Sequence, residues 1–272
     1  MIREALKFLA AIYKRFRLFW WDFTMNRRKV LKLQVLQSVF VSFLGIGDIV
    51  KILYSDQHLV RFRKSFEYHT LNLFVGFLKD GDVVIDVGAN IGLFSLLGSR
   101  YVGQAGRIYA FEPTSATFEI LKENIRINAI ENIAPQKIPL ADKSIPIIMV
   151  NPAGEGGEYF DALNRIQQVD QERLTGAVIY TETLDDFIRQ NDIRKIDIIK
   201  IDIEGAELLF FKGAKESLTK FRPKIIFEAN EKHCEAFNYS VMDVLTYVKE
   251  VGYKLKQINE EQWLATWSQE KS

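Results

Sequence analysis

Between Asp82 and Ser95 the chain reads Asp-Val-Val-Ile-Asp-Val-Gly-Ala-Asn-Ile-Gly-Leu-Phe-Ser. Few local sequences constrain a fold as much. The run Val83–Val87 is mostly apolar and branched, which suits a strand buried on both faces of a parallel sheet. Gly88 and Gly92 interrupt the run, and a helix is expected from about Leu93. Glycines there would let a ligand approach the backbone closely. Asn90 enters a left-handed conformation more readily than most residues. The first turn of the helix offers amide groups to a ligand's polar atoms. Strand, small-residue turn and helix in that order place a binding site at the carboxyl end of an open α/β sheet.

The segments that follow repeat the pattern. Arg107–Phe111, Ile196–Ile201 and Lys224–Glu228 are further strand-like runs, and Ser115–Asn128 and Ala206–Thr219 carry helical periodicity. The alternation predicts a Rossmann-like, doubly wound α/β sheet. A helix over Ser240–Val251 ends at Gly252; Tyr253–Ile258 and Trp263–Trp267 then flank a polar turn and read as a terminal hairpin. Asn151–Gly157 is a loop by composition, in a long interval suited to an insertion that shapes a substrate site. Two regions are expected: residues 1–75, helical, basic and aromatic with lead-in strands, and residues 76–272, the α/β domain.

The turn excludes two common ligands. A dinucleotide fingerprint begun at Gly88 would need glycine at Asn90 and Leu93, and a Walker A loop needs a Gly-Lys-Ser/Thr that is absent. S-adenosylmethionine (SAM) carries no phosphate and presents an ammonium and a carboxylate. Asp86 suits the ammonium and the turn amides suit the carboxylate. Glu112, at the end of the next strand, suits the ribose hydroxyls; its alternative role is a helix-capping carboxylate before Pro113. Ala141-Asp142 follows the third strand region, where adenine is expected, and Asp142 either accepts from the adenine amino group or is a plain turn residue. Tyr68 lines the same pocket or is a core aromatic.

With Asp86-Val-Gly-Ala-Asn-Ile-Gly92, Phe111-Glu112-Pro113, Ala141-Asp142 and Lys200-Ile-Asp202-Ile-Glu204-Gly-Ala-Glu207 in place, the sequence resembles the FkbM-like family of SAM-dependent methyltransferases from about Tyr68 to Glu228. Asn90 stands where the general SAM-binding pattern has glycine, as that subfamily typically shows. The resemblance implies a seven-stranded sheet with a C-terminal antiparallel hairpin, and O-methylation of small molecules, sugars or glycan-like acceptors.

A hydroxyl acceptor must lose a proton, so a general base is expected beside it. In an extended strand Lys200, Asp202 and Glu204 would share one side. Asp202 is the first choice for a catalytic or SAM-proximal carboxylate. Glu204 binds acceptor, caps the next helix or pairs with Lys200, and Glu207 stabilises the first turn of that helix. Glu228 ends the fifth strand, and His233 follows five residues later with an imidazole suited to proton removal or to the surface. A metal held by Asp202, Glu228 and His233 lacks any tight ligand spacing, so no metal is expected; His58 and His69 have no companions.

Composition bounds the partners. The 272 residues carry 36 basic and 35 acidic side chains, a balance that gives no global field for a polyanion, so no nucleic acid is expected. The single cysteine, Cys234, excludes an intramolecular disulfide and fits a cytoplasmic location. Charges at Arg3, Glu4, Lys7 and Lys14 break any secretory signal, and the longest uncharged run, Leu33 to Gly47, is too short to span a bilayer. Leu6, Leu9, Ala10, Tyr13, Phe16, Phe19 and Trp20 form an apolar stripe among basic residues. Residues 1–30 therefore pack on the domain, form a homo-oligomer contact, or make peripheral contact with the inner membrane surface. A nitrogen-directed methyltransferase and a non-catalytic SAM-binding module are the competing readings. The fourth strand ends in Asp202-Ile-Glu-Gly rather than an Asn/Asp-Pro-Pro-Tyr motif, which counts against the first; the charged cluster counts against the second.

Overall fold

Alternation of side chains along the central strands decides how the sheet is covered. The computed structural model describes residues 34–37, 51–54, 68–150, 165–168 and 178–268. The expected N-terminal amphipathic helix, His58, the loop Asn151–Gly157 and the side chains of Tyr68 and His69 lie outside the described residues. The seven strands of the main sheet are β1 (Val83–Val87), β2 (Arg107–Phe111), β3 (Ile133–Gln136), β4 (Ile198–Ile201), β5 (Lys224–Glu228), β6 (Tyr253–Gln257) and β7 (Gln262–Trp267). Their order is β3-β2-β1-β4-β5-β7-β6. The first five are parallel, and β7 enters antiparallel between β5 and β6. This is the expected Rossmann-like sheet with its terminal hairpin. The fourth and first strands are neighbours, Asp86 opposite Lys200.

Helices cover both faces. On one side Val84, Ile108, Ala110, Ile198 and Ile226 pack against α1 (Tyr68–Phe77), α2 (Leu93–Tyr101) and α3 (Ser115–Ile127) through Leu71, Phe74, Leu96, Leu97 and Leu121. On the other side Ile85, Val87, Phe111, Ile199, Ile201 and Phe227 meet α4 (Leu184–Gln190), α5 (Glu207–Gly213), α6 (Lys215–Phe221) and α8 (Val241–Val251). A short helix, α7 (Glu231–Glu235), follows β5. The boundary expected at residues 75 and 76 falls inside α1. Among the described residues no helix is long and apolar enough to cross a membrane.

Two local features differ from the sequence reading. The helix expected over Ala206–Thr219 is split into α5 and α6. α5 ends at Gly213, where a Cβ would stand inside the Ala141 carbonyl, and Ala214 leaves the helical conformation at φ −113°. The interval before α4 contributes a three-stranded antiparallel sheet, Arg165–Gln168, Pro146–Val150 and Val178–Tyr180. Gln34–Gln37 and Lys51–Tyr54 form a separate antiparallel pair.

The glycines of the nucleotide turn answer to the protein's own packing. Gly88 has φ +78°, and a Cβ there would stand inside the Asp202 carbonyl oxygen. Gly92 has φ +99° and lies 2.6 Å, measured from an ideal Cβ, from the Leu121 side chain. Beside the close ligand approach expected from the sequence, they let β1, β4 and α3 close on one another. Gly88→Ala is expected to lose several kcal/mol of stability, on the order of 3–5, in urea unfolding. Gly76→Ala, in open space on α1, is expected to gain up to about 1 kcal/mol.

Candidate active site

The carboxyl ends of β1, β2, β4 and β5 gather five carboxylates, a lysine and a histidine. Asp86 is 2% exposed and accepts a 2.5 Å hydrogen bond from the Ser95 hydroxyl. Burial pushes its carboxyl up to about 6, against the Ser95 hydrogen bonds and the nearby Lys200 ammonium. Asp86 thus ties the end of β1 to the first turn of α2. The turn itself is closed: the amides of Gly88 and Ala89 donate to the Phe111 carbonyl, Asn90 to Glu112, Ile91 to the Asn90 side chain and Gly92 to Ala89. The amides of Gly88 to Gly92 thus have partners within the protein, and the expected ligand carboxylate would look to the amides that follow, at the start of α2. Asn90 does take the left-handed conformation, at φ +51°.

Glu112 sits across the turn at the end of β2, buried, with one oxygen accepting from Asn90 at 3.0 Å and the other from Thr114 at 2.8 Å. The bonds to Thr114, from its amide and its hydroxyl, are the helix-entry role. Burial raises this carboxyl to about 7, against the Thr114 amide and hydroxyl and the Asn90 amide. Such an acceptor pair fits the two hydroxyls of a ribose. Ala141 is buried, its amide donating to the Glu182 carbonyl at 2.9 Å, and half-buried Asp142 follows beside Gly213. Tyr68 opens α1.

Lys200 is 1% exposed, with its ammonium 3.4 Å from Asp202 and 4.9 Å from the centre of the Phe94 ring. It tempers the carboxyls of Asp86 and Glu228. Asp202 is half-buried, its backbone against Gly88 and its amide bonded to Val87 at 2.9 Å. Asp202 is therefore the carboxylate that borders the nucleotide turn.

Glu204 departs from the extended arrangement. The strand ends at Ile201, and Glu204 turns left-handed at φ +54°. Its carboxylate lies 3.0 Å from Nδ1 of His233, not on Lys200 as one reading had it. Gly205 permits this approach, because a Cβ there would stand inside the His233 carbonyl. Asn230 caps α7, accepting from the amides of Lys232 at 3.0 Å and His233 at 3.4 Å, and so fixes His233 beside the loop. Glu228 completes the group: Glu204, Glu228 and His233 each offer one donor atom, all within 4.8 Å of one another. Glu228 is held well above the usual carboxylate range by burial, then by Asp202 and Glu204.

Sequence reasoning gave no role to Ser95, Phe94 or Tyr239; Glu207 stands in the first turn of α5 as expected and reaches further. Glu207 is buried and accepts from the amides of Ile203 at 3.2 Å and Gly205 at 3.3 Å. Tyr239 donates its hydroxyl to the Gly205 carbonyl and accepts from Leu208. Together they brace the loop that presents Glu204. An acid at the start of a helix looks alike in sequence whether it faces solvent or a loop.

A model of the methyltransferase FkbM domain matches residues 86–255. Methyltransferase sdnD of Sordaria araneosa is 29% identical over 178 residues, covering 57% of this chain and 68% of that protein. Hexuronic acid methyltransferase AglP of Haloferax volcanii is 28% identical over 156 residues, covering 56% of this chain and 58% of its own length. The chain thus spans less than two thirds of that second relative. The crystal structure of methyltransferase FkbM from Methylobacillus flagellatus KT matches with a TM-score of 0.48 at 20% identity, over 73% of this chain and 47% of that one.

The buried acids make stability depend on pH. Glu207, like Glu112, is raised from 4.5 to about 7, chiefly by burial. The folded chain then holds more protons than the unfolded chain between those values, so stability falls as pH rises through the window. Glu207→Gln is expected to flatten the fall by up to about 3 kcal/mol, read from urea unfolding at pH 5 and pH 7.5. An unchanged slope would contradict the burial assigned to Glu207.

Proposed function

Because the chain belongs to the FkbM methyltransferase family, and so carries the domain of a SAM-dependent methyltransferase, we propose that it methylates a hydroxyl oxygen of a sugar, glycan-like or secondary-metabolite acceptor. The observation that carries this reading is the group Glu204, Glu228 and His233 at the ends of β4 and β5 and in α7. An oxygen acceptor must shed a proton, and this group concentrates proton-accepting atoms where open α/β sheets bind ligands. The name of the Haloferax relative, a hexuronic acid methyltransferase, supports a sugar.

Bound SAM supplies a methyl carbon already activated by the sulfonium charge. Glu112 accepts from the ribose hydroxyls. Asp202 meets the ammonium end, because it borders the turn and is more open than Asp86. Asp86 sets the turn through Ser95. Lys200 keeps the carboxylates at the strand ends from repelling one another freely. The group at Glu204 receives the acceptor and activates its hydroxyl. Such positioning accounts for much of the rate in a displacement of this kind, about 7–11 kcal/mol at best.

Calorimetric titration with SAM tests the cofactor end. Glu112→Gln is expected to weaken binding about 10–100-fold, the worth of charged hydrogen bonds of roughly 1.5–3 kcal/mol. The ionised carboxylate is the better acceptor, so wild-type affinity is expected to weaken as pH falls through about 7, and the variant to lose that dependence. Transfer of labelled methyl to a panel of uronic acids and neutral sugars tests the acceptor end. His233→Ala is expected to lower kcat by about 10²–10⁴ while SAM affinity holds. Methylation of amines but not hydroxyls would overturn the oxygen assignment.

A further inference from the structure

The group that activates the acceptor has the composition and spacing of a metal site. Two carboxylates and an imidazole converge from three separate elements: Glu204 from the loop after β4, Glu228 from the end of β5 and His233 from α7. The imidazole separates this group from an ordinary acidic patch, since oxygen donors with one nitrogen suit Mg²⁺, Mn²⁺, Fe²⁺ or Zn²⁺. Spacing is close to what an ion needs. Ligands about 2.1 Å from an ion stand about 3.0 Å apart when at right angles and about 4.2 Å apart when opposite. Nδ1 of His233 and Oε2 of Glu204 are 3.0 Å apart, and the three donor atoms lie within 4.8 Å of one another, so small side-chain shifts bring the set onto one ion. The side chains of Glu204 and His233 are 15% and 18% exposed, so the group is shielded without being sealed from solvent. Charge favours a cation as well: Asp202 and Glu261 add to the field at Glu228, with Lys200 opposing them.

We propose that Glu204, Glu228 and His233 bind one divalent cation that activates the acceptor hydroxyl. The expectation of no metal, and the alternative trio that included Asp202, are both revised by this grouping. The proposal rests on the methyltransferase reading for its purpose, but not for its test. Three protein ligands leave coordination positions for the substrate. The matching acceptor class is one with two neighbouring oxygens, such as adjacent hydroxyls or a hydroxyl beside a carboxylate. The cation lowers the pKa of the coordinated hydroxyl. Its proton passes to solvent water, the oxygen electron pair forms the bond to the methyl carbon, and the carbon–sulfur pair stays on sulfur as the thioether.

The test is titration of Mn²⁺ alone into the chelator-treated, full-length protein, followed by loss of the free-ion electron paramagnetic resonance signal. One ion per chain with micromolar affinity is expected. Glu228→Gln and His233→Asn should each weaken it at least about tenfold, since even outer partners of metal sites are worth about 10–100-fold. SAM titration of the same samples should be unchanged, which shows that the variants fold. Absence of Mn²⁺ binding to a wild type that binds SAM overturns the cation and leaves His233 with Glu204 as a metal-free proton acceptor. Binding indifferent to both substitutions overturns the site. Loss of SAM binding by the wild type would instead strike the methyltransferase reading, which keeps the two failures apart.

Discussion

A lysine ammonium buried in the middle of a parallel sheet is costly unless its surroundings return the charge. Lys200 is stationed opposite Asp86 on β1, within 3.4 Å of Asp202 and over the face of Phe94. Without it, Asp86, Asp202 and Glu228 would crowd the ends of three adjacent strands with no cation beneath them. Burial already lifts Asp86 and Glu228 above their ordinary range, and Lys200 limits the rise at both. The carboxylate-rich rim of the sheet therefore depends on one buried side chain.

The two faces of the sheet divide the work. Alternation along β1 and β4 sends Asp86 and Lys200 toward α2, where Ser95 and Phe94 receive them. Beyond Ile201 the chain leaves the sheet, and Glu207 turns in beneath the loop that carries Glu204. Tyr239 reaches the same loop from just before α8. The cofactor end is thus braced from one face, while the acceptor end is braced by Glu207 and Tyr239.

That division explains what the sequence made legible. The cofactor end lies in one contiguous stretch, from Asp82 to Thr114, and strand period, glycines and acidic residues could be read there directly. The parallel strands, α3, α8 and the terminal hairpin were legible for the same reason: each is a local pattern ended by a local signal, as Gly252 shows at φ +119°. The purpose of Gly88 and Gly92 was not, because their constraint comes from Asp202 and Leu121, remote in sequence. Nor could sequence say that the turn amides spend themselves on Phe111 and Glu112. Assuming an extended chain through Glu204 put it beside Lys200. A single left-handed residue sent it to His233 instead.

The same left-handed residue separates two kinds of chemistry that an extended strand would have merged. Asp202, still held by the β1 backbone, stays with the nucleotide turn. Glu204, two residues on, belongs to a group built from β5 and α7. Between them the backbone reverses hand, and Gly205 allows it because no side chain has to fit against His233. A cationic methyl donor and an acceptor losing a proton need neighbouring but distinct electrostatic surroundings. Asp86 and Glu112 are raised to about 6 and about 7, chiefly by burial. Glu228 sits among like charges, so its surroundings favour either a proton or a metal ion. One turn of five residues, Ile201 to Gly205, thereby separates the carboxylate beside β1 from the group built on β5 and α7.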